Sequence, residues 1–125
     1  MKALKLKDGA GELVEVAEPS PGATDVVVDV AAVGMSAADL AAAGSGVTPG
    51  RFFAGSIAAI GPAVAGFQIG DTVVAAPPGA CGMCGACLRG DDAYCARADV
   101  IYGGIRPGVD VDGGAAQQVC VDASF

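Results

Sequence analysis

A chain of 125 residues is long enough for one domain with a real core and too short for two full domains. Its 7 Lys and Arg against 14 Asp and Glu leave a net charge of -7, which argues against nucleic acid or an anionic membrane surface as partner, since both select basic patches. The absence of His removes Ser-His and Cys-His pairs, His-containing zinc sites and imidazole proton shuttles, and it leaves any metal to Cys or carboxylates.

Mean hydropathy is +0.54, but Ala and Val inflate it. The longest uncharged stretch, Phe52 to Gly70, is broken by glycines, Pro62 and Gln68, so it falls short of the ~20 apolar residues of a spanning helix. The start, Met1 to Asp8, has charge but no apolar signal-peptide core, so the expected location is cytoplasmic.

Taken in chain order, Ala3–Leu6 and Glu12–Val16 flank Asp8-Gly9, a turn dipeptide, and predict a β-hairpin. Pro19-Ser20-Pro21-Gly22 is a second turn. Asp25–Val30 predicts a strand with Val26, Val28 and Val30 on a dry face and Asp25, Val27 and Asp29 on a wet one. Ser36 followed by Asp39 resembles a capping box, so a short helix is expected from Ser36 to Ala43, ended by Gly44. A loop follows to Gly50. Ser56–Ile60, Thr72–Ala76 and Gln117–Val121 read as strands, with turns at Gly61-Pro62 and Gly70-Asp71. Short strands with regular Gly and Pro punctuation and one helix predict a mainly β domain, either a barrel or a β-rich α+β fold.

Four of the five Cys, Cys81, Cys84, Cys87 and Cys95, lie at spacing C-x2-C-x2-C-x7-C, interleaved with Gly79, Gly82, Gly85 and Gly90. Glycines let the backbone curl around one point, and four thiolates satisfy a tetrahedral ion, for which zinc is the best match. Such a site is closed to water and substrate and therefore structural. Three other readings stand beside it. An iron–sulfur cluster would share the first three Cys, but the bacterial run continues x3-C-P. Disulfides would require an oxidising compartment. An unliganded remnant is the third. Cys120 stands apart on the last strand, and without a His to activate it the reading is a small packed side chain.

These features together resemble the N-terminal, GroES-like domain of the zinc-containing medium-chain dehydrogenase/reductase family, the alcohol dehydrogenase type. Asp25–Val28 resembles the family's "DVLV" strand, and Gly66–Val73 its "GFxxGDxV" segment. Cys87–Gly90 resembles "CLRG", and Asp112–Gln117 resembles "DGGYAEY". The resemblance implies a GroES-like, partly open β-barrel over residues 1–125, with a zinc lobe at 79–97 and one structural zinc on the four Cys. It also implies a small-molecule carbonyl or alcohol substrate, NAD(P) bound on a separate Rossmann domain, and a homodimer.

The departures from the family pattern are as informative. The family's catalytic zinc is held by the Cys of a "GVCHSD"-like stretch and the His of "PGHE". Here those positions are Ser36 and Arg51, with Ala38 at the proton-relay hydroxyl and Phe52 at the Glu. A serine hydroxyl, a permanent cation and a phenyl ring do not make a zinc site. Ser36 is either a helix cap or a substrate contact. Arg51 is either a solvated charge or a cation aimed at an anionic group, so both are candidate cleft residues. Pro49–Gly55 also resembles "PGxDxAG" of the zinc-independent, quinone reductase-like branch. Neither Gly9-Ala10-Gly11 nor Gly44-Ser45-Gly46 completes the dinucleotide pattern G-x-G-x-x-G. The expectation is thus the substrate-side domain of an oxidoreductase, inactive as this chain alone and either a fragment or a free-standing relic. The alternative is a non-catalytic structural or interaction module.

Overall fold

The computed structural model describes residues 1–7, 10–41, 43–75, 81–96, 107–108 and 111–124. β1 (Lys2–Lys7) and β2 (Ala10–Glu15) pair antiparallel from Lys2–Glu15 to Lys7–Ala10, forming the expected hairpin, although its Asp8-Gly9 turn lies outside the described residues. A four-stranded antiparallel sheet follows, in the order β5-β4-β3-β6. Its members are β3 (Asp25–Gly34), β4 (Phe52–Ile60), β5 (Thr72–Ala75) and β6 (Gln118–Asp122). The hairpin is tied to the sheet at Ala3–Ala116, where Gln117 N–H donates to Lys2 O and Leu4 N–H to Ala115 O. The result is mainly β, as the strand pattern predicts, and its sheets are open.

Alternation along the strands builds the core. Val26 and Val28 of β3 meet Phe53 and Ile57 of β4 and Val119 and Val121 of β6 in one apolar cluster. Burying each such side chain contributes ~1.5–3 kcal/mol. The predicted wet face of β3 is not uniformly wet, because Val27 is 2% exposed. Its neighbour in register is Cys120, whose thiol donates to Ser20 O, so the chain entering β3 covers that side of the sheet. Covering chain of this kind leaves no mark in the periodicity of the strand itself.

β4 begins at Phe52, four residues before the predicted Ser56, and runs through Gly55. A side chain at Gly55 would strike the Asp29 backbone carbonyl, beside a register shift between Val30 and Ala32. The glycine is there for close strand approach at a bulge and not as a breaker. β3 likewise extends four residues past Val30, since β4 keeps pairing with it to Gly34. The helix is shorter than predicted: α1 spans Ala37–Ala41.

A second difference lies among the cysteines, where no helix was expected. α2 (Gly85–Leu88) and a 3-10 turn (Asp92–Tyr94) fold the segment back on itself. Gly82 (φ 71°) and Gly90 (φ 82°) occupy the left-handed region that the folding back requires. Gly79 and Arg97, at the ends of the predicted lobe, lie outside the described residues. No helix among the described residues is long and apolar enough to cross a membrane.

Candidate functional site

The four lobe cysteines converge although they lie on three different local structures. Cys81 precedes α2, Cys84 caps it, Cys87 lies within it and Cys95 follows the 3-10 turn. Their sulfurs all lie within 4.8 Å of one another. The Cys84–Cys87 sulfur separation is 3.4 Å and the Cys81–Cys87 separation 3.8 Å. Sulfurs around one zinc at about 2.3 Å are spaced at about 3.8 Å, so the cluster has the dimensions of a tetrahedral site. All five cysteines of the chain are free thiols, so no disulfide competes for them.

The backbone also favours thiolates here. Amide N–H groups of Met83 and Cys84 donate to Cys81 Sγ at 3.4 and 3.2 Å, and Cys81 N–H donates to Cys95 Sγ at 3.3 Å. The Cys84 thiol is lowered to about 6, first by the Cys87 amide and then by that of Ala96. Cys87 is pushed up to about 12, first by burial and then by its shared bond with Cys84. Cys84 and Cys87 thus do not ionise together unaided, and a bound cation is what allows the last proton to leave. Arg89 does not supply that charge, because it turns to Asp91 at 3.6 Å on an exposed surface. The residues present therefore fit a tetrahedral metal on sulfur.

A second cluster forms where α1 meets the segment leading into β4. Of the two candidate cleft residues, Ser36 is hydrogen-bonded to Asp39 and Arg51 acts on it by charge alone. Ser36 donates to Asp39 Oδ2 twice, from its backbone N–H at 2.6 Å and from its Oγ at 2.8 Å. Gly50 N–H donates to Asp39 Oδ1 at 2.7 Å. Asp39 is the acid of the capping box and accepts the Ser36 amide as that motif requires. The Ser36 hydroxyl is a donor to the acid here, whereas a serine cap normally accepts a helix amide.

Asp39 is only 1% exposed. Burial works to raise its pKa, but the Gly50 and Ser36 amides, the Ser36 hydroxyl and the Arg51 charge outweigh it and hold the carboxyl below its ordinary value. Arg51 influences Asp39 through space, without a direct ion pair among the described residues. Its guanidinium lies 5.8 Å from the centre of the Phe52 ring. Its Nε is buried with no hydrogen-bond partner among the described residues.

Backbone packing holds this cluster in place. Residues 48–50 run beside 113–115, with Gly113 N–H bonded to Thr48 O, Gly114 N–H to Gly50 O and Ala115 N–H to Pro49 O. Gly50 has φ 104°, and a side chain there would collide with Val33 and the Ala115 amide. Asp112 Oδ1 accepts from Thr48 N–H at 2.6 Å and from Lys5 Nζ at 2.8 Å, joining the hairpin to the same loop. Sequence reasoning missed this anchoring role of Asp112. It had Asp39 only as a cap, and the buried hub it forms was hidden because its second partner, Gly50, is eleven residues away.

A family-type catalytic zinc does not fit these residues. Ser36 Oγ donates its hydrogen bond to Asp39, Arg51 would repel a cation, Phe52 has no donor atom, and both Asp39 oxygens are already engaged. Among the described residues the four lobe cysteines are the one group placed to hold a metal. Cys120 is unsuited to chemistry as well: burial, then the nearby Asp25 charge, push its thiol up, so it stays protonated.

Comparison with known proteins agrees with this architecture. The family model for the alcohol dehydrogenase GroES-like domain matches residues 22–125. L-threonine 3-dehydrogenase of Pyrococcus horikoshii is 36% identical over 96% of this chain, and sorbitol dehydrogenase of Halalkalibacterium halodurans is 34% identical over 78%. The chain spans 36% and 31% of those two proteins' lengths. The cobalt- and zinc-bound thermostable alcohol dehydrogenase of Pyrobaculum aerophilum superposes with a TM-score of 0.79 at 30% identity, over 98% of this chain and 39% of that one. Family model, sequence identity and superposition thus agree, and the chain belongs to the family of alcohol dehydrogenase GroES-like domains.

Proposed function

We propose that this chain is the substrate-side domain of a medium-chain dehydrogenase/reductase acting on a small alcohol or carbonyl compound, with one structural zinc in its lobe. The observation that carries the reading is the four-sulfur cluster, closed within 4.8 Å on a domain whose relatives are dehydrogenases. All four donors are protein thiols, so the metal has no open position for substrate and acts by folding the lobe. Zinc binding at such sites contributes on the order of 10 kcal/mol.

The family pairs this domain with NAD(P). The chain's described residues do not form a cradle for dinucleotide phosphates. Gly44 and Gly46 follow α1 in a loop instead of ending a strand, and Gly11 lies within β2. The share of this chain in the reaction is to hold and orient the substrate.

A second reading, a non-catalytic module derived from a dehydrogenase, is favoured by the donor set at Ser36 and Arg51. Metal analysis of the purified protein tests the first reading. About one zinc per chain is expected, bound to the lobe. Iron with visible absorbance, or a protein that folds its lobe fully without metal, would overturn it. Joining the chain to the cofactor domain of a threonine dehydrogenase and assaying nicotinamide reduction separates the two: turnover supports the catalytic role, and inert but folded fusions support the module.

A further inference from the structure

Asp39 feels the Arg51 charge, yet the two are not an ion pair among the described residues. The carboxylate has both oxygens occupied by the donors of Ser36 and Gly50, so it has little left to offer Arg51 directly. The guanidinium is near enough to stabilise the charge on Asp39 but makes no ion pair with any described acid. Its Nε–H is buried and meets no acceptor among the described residues. A buried donor without a partner costs ~1–3 kcal/mol. The fold accepts that cost at a position whose backbone is fixed on both sides. Gly50, immediately before Arg51, is pinned by Asp39 Oδ1 and by the Gly114 amide. Phe53, two residues after Arg51, is 3% exposed in the core.

A guanidinium placed this way presents a planar fork of N–H donors that matches a carboxylate or phosphate, and it keeps its charge at any working pH. The rest of the chain repels anions, with a net charge of -7, so attraction at this point is local. We propose that the Ser36–Asp39–Arg51 cluster is a metal-free oxyanion site, in which Arg51 binds the carboxylate or phosphate oxygens of a small anionic molecule and Asp39 is a positioning residue. The proposal deepens the substrate-side reading and rests on it for its biological meaning. Its test reads anion binding directly, independently of turnover and of zinc content.

The experiment follows the arginine Nε–H resonances of the zinc-loaded, 15N-labelled chain during titration with acetate and, separately, with inorganic phosphate. Ionic strength is held constant with chloride. One arginine resonance should shift saturably and vanish in Arg51→Gln, while the exposed Arg89 should move only slightly. Saturation with acetate identifies a carboxylate ligand, and saturation with phosphate alone identifies a phosphate-bearing one; either supports the site. Arg51→Lys keeps the charge but loses the fork, and its binding should weaken roughly tenfold or more. Asp39→Asn should weaken binding while the Arg51 resonance survives, and Asp39→Glu should restore part of the affinity, which a purely structural acid would not do. Equal, non-saturating shifts of all arginines, or saturable binding that survives Arg51→Gln, would sink the proposal. So would uptake of a second zinc by the wild-type chain at Ser36 and Arg51.

Discussion

Replacing Asp39 by Asn removes a charge while changing the shape of the side chain very little, which makes it a sharp probe of the hub. In the native chain one carboxylate oxygen accepts two bonds from Ser36 and the other accepts one from Gly50, at 2.6 to 2.8 Å. An asparagine offers one oxygen and one NH2. Whichever way the amide turns, its NH2 faces either the Ser36 donors or the Gly50 N–H, so at least one buried backbone donor is left without an acceptor. That costs ~1–3 kcal/mol, and replacing charge-assisted bonds by neutral ones costs about another 1 kcal/mol. Asp39 is 1% exposed, so solvent does not soften the loss. The expected destabilisation is ~2–4 kcal/mol. Urea denaturation of the zinc-saturated protein should show a lowered midpoint with an unchanged slope. A loss below ~0.5 kcal/mol, the range of ordinary surface substitutions, would mean that Asp39 is not the anchor of Ser36 and Gly50.

Further outcomes follow from the same geometry. Cys84→Ser, or a strong chelator, should remove the lobe metal and abolish amide protection across residues 81–96 while the β-sheet signals of Val28 and Ile57 persist; hydrogen exchange distinguishes this from global unfolding. Stability should fall in acid. Asp39, Asp112 and Asp122 are each held below their ordinary pKa in the fold. An unfolded Asp titrates near about 3.9, so the unfolded chain binds more protons once the pH drops toward that value. The stabilising contribution is full above about pH 5 and is lost as the pH falls through the folded values. Denaturation midpoints should decline over that range, and Asp39→Asn should flatten the slope. The double variant Ser36→Cys with Arg51→His should bind a second zinc if these residues occupy the family's catalytic metal positions, as their sequence context implies. Metal stoichiometry that stays at about one per chain would show that the positions do not correspond.

The gap between sequence and structure has particular causes. The hairpin was legible because Asp8-Gly9 sits between two apolar runs, and the core residues Val26 and Val28 because Asp25 and Asp29 mark the opposite face of their strand. The cysteine spacing was legible because a metal constrains sequence separations within a short loop. The burial of Val27 was not legible, since the chain that covers it, at Ser20 before β3, lies outside the strand and its periodicity. The expected strand starts just after Gly55, but the strand runs through this residue from Phe52, and the glycine makes room for the Asp29 carbonyl.

The sequence alone determined the composition of each possible site. With no His, it removed imidazole from every possible site and offered four closely spaced thiols as the best set of metal ligands. Only the tertiary structure decided how those residues act on one another. It closed the four sulfurs to within 4.8 Å by folding α2 and a 3-10 turn between them. It also joined Ser36 to Gly50 through one buried carboxylate and left the Arg51 Nε–H without an acceptor among the described residues. Residue types fix which bonds are chemically available, whereas burial and long-range backbone packing decide which of them are made.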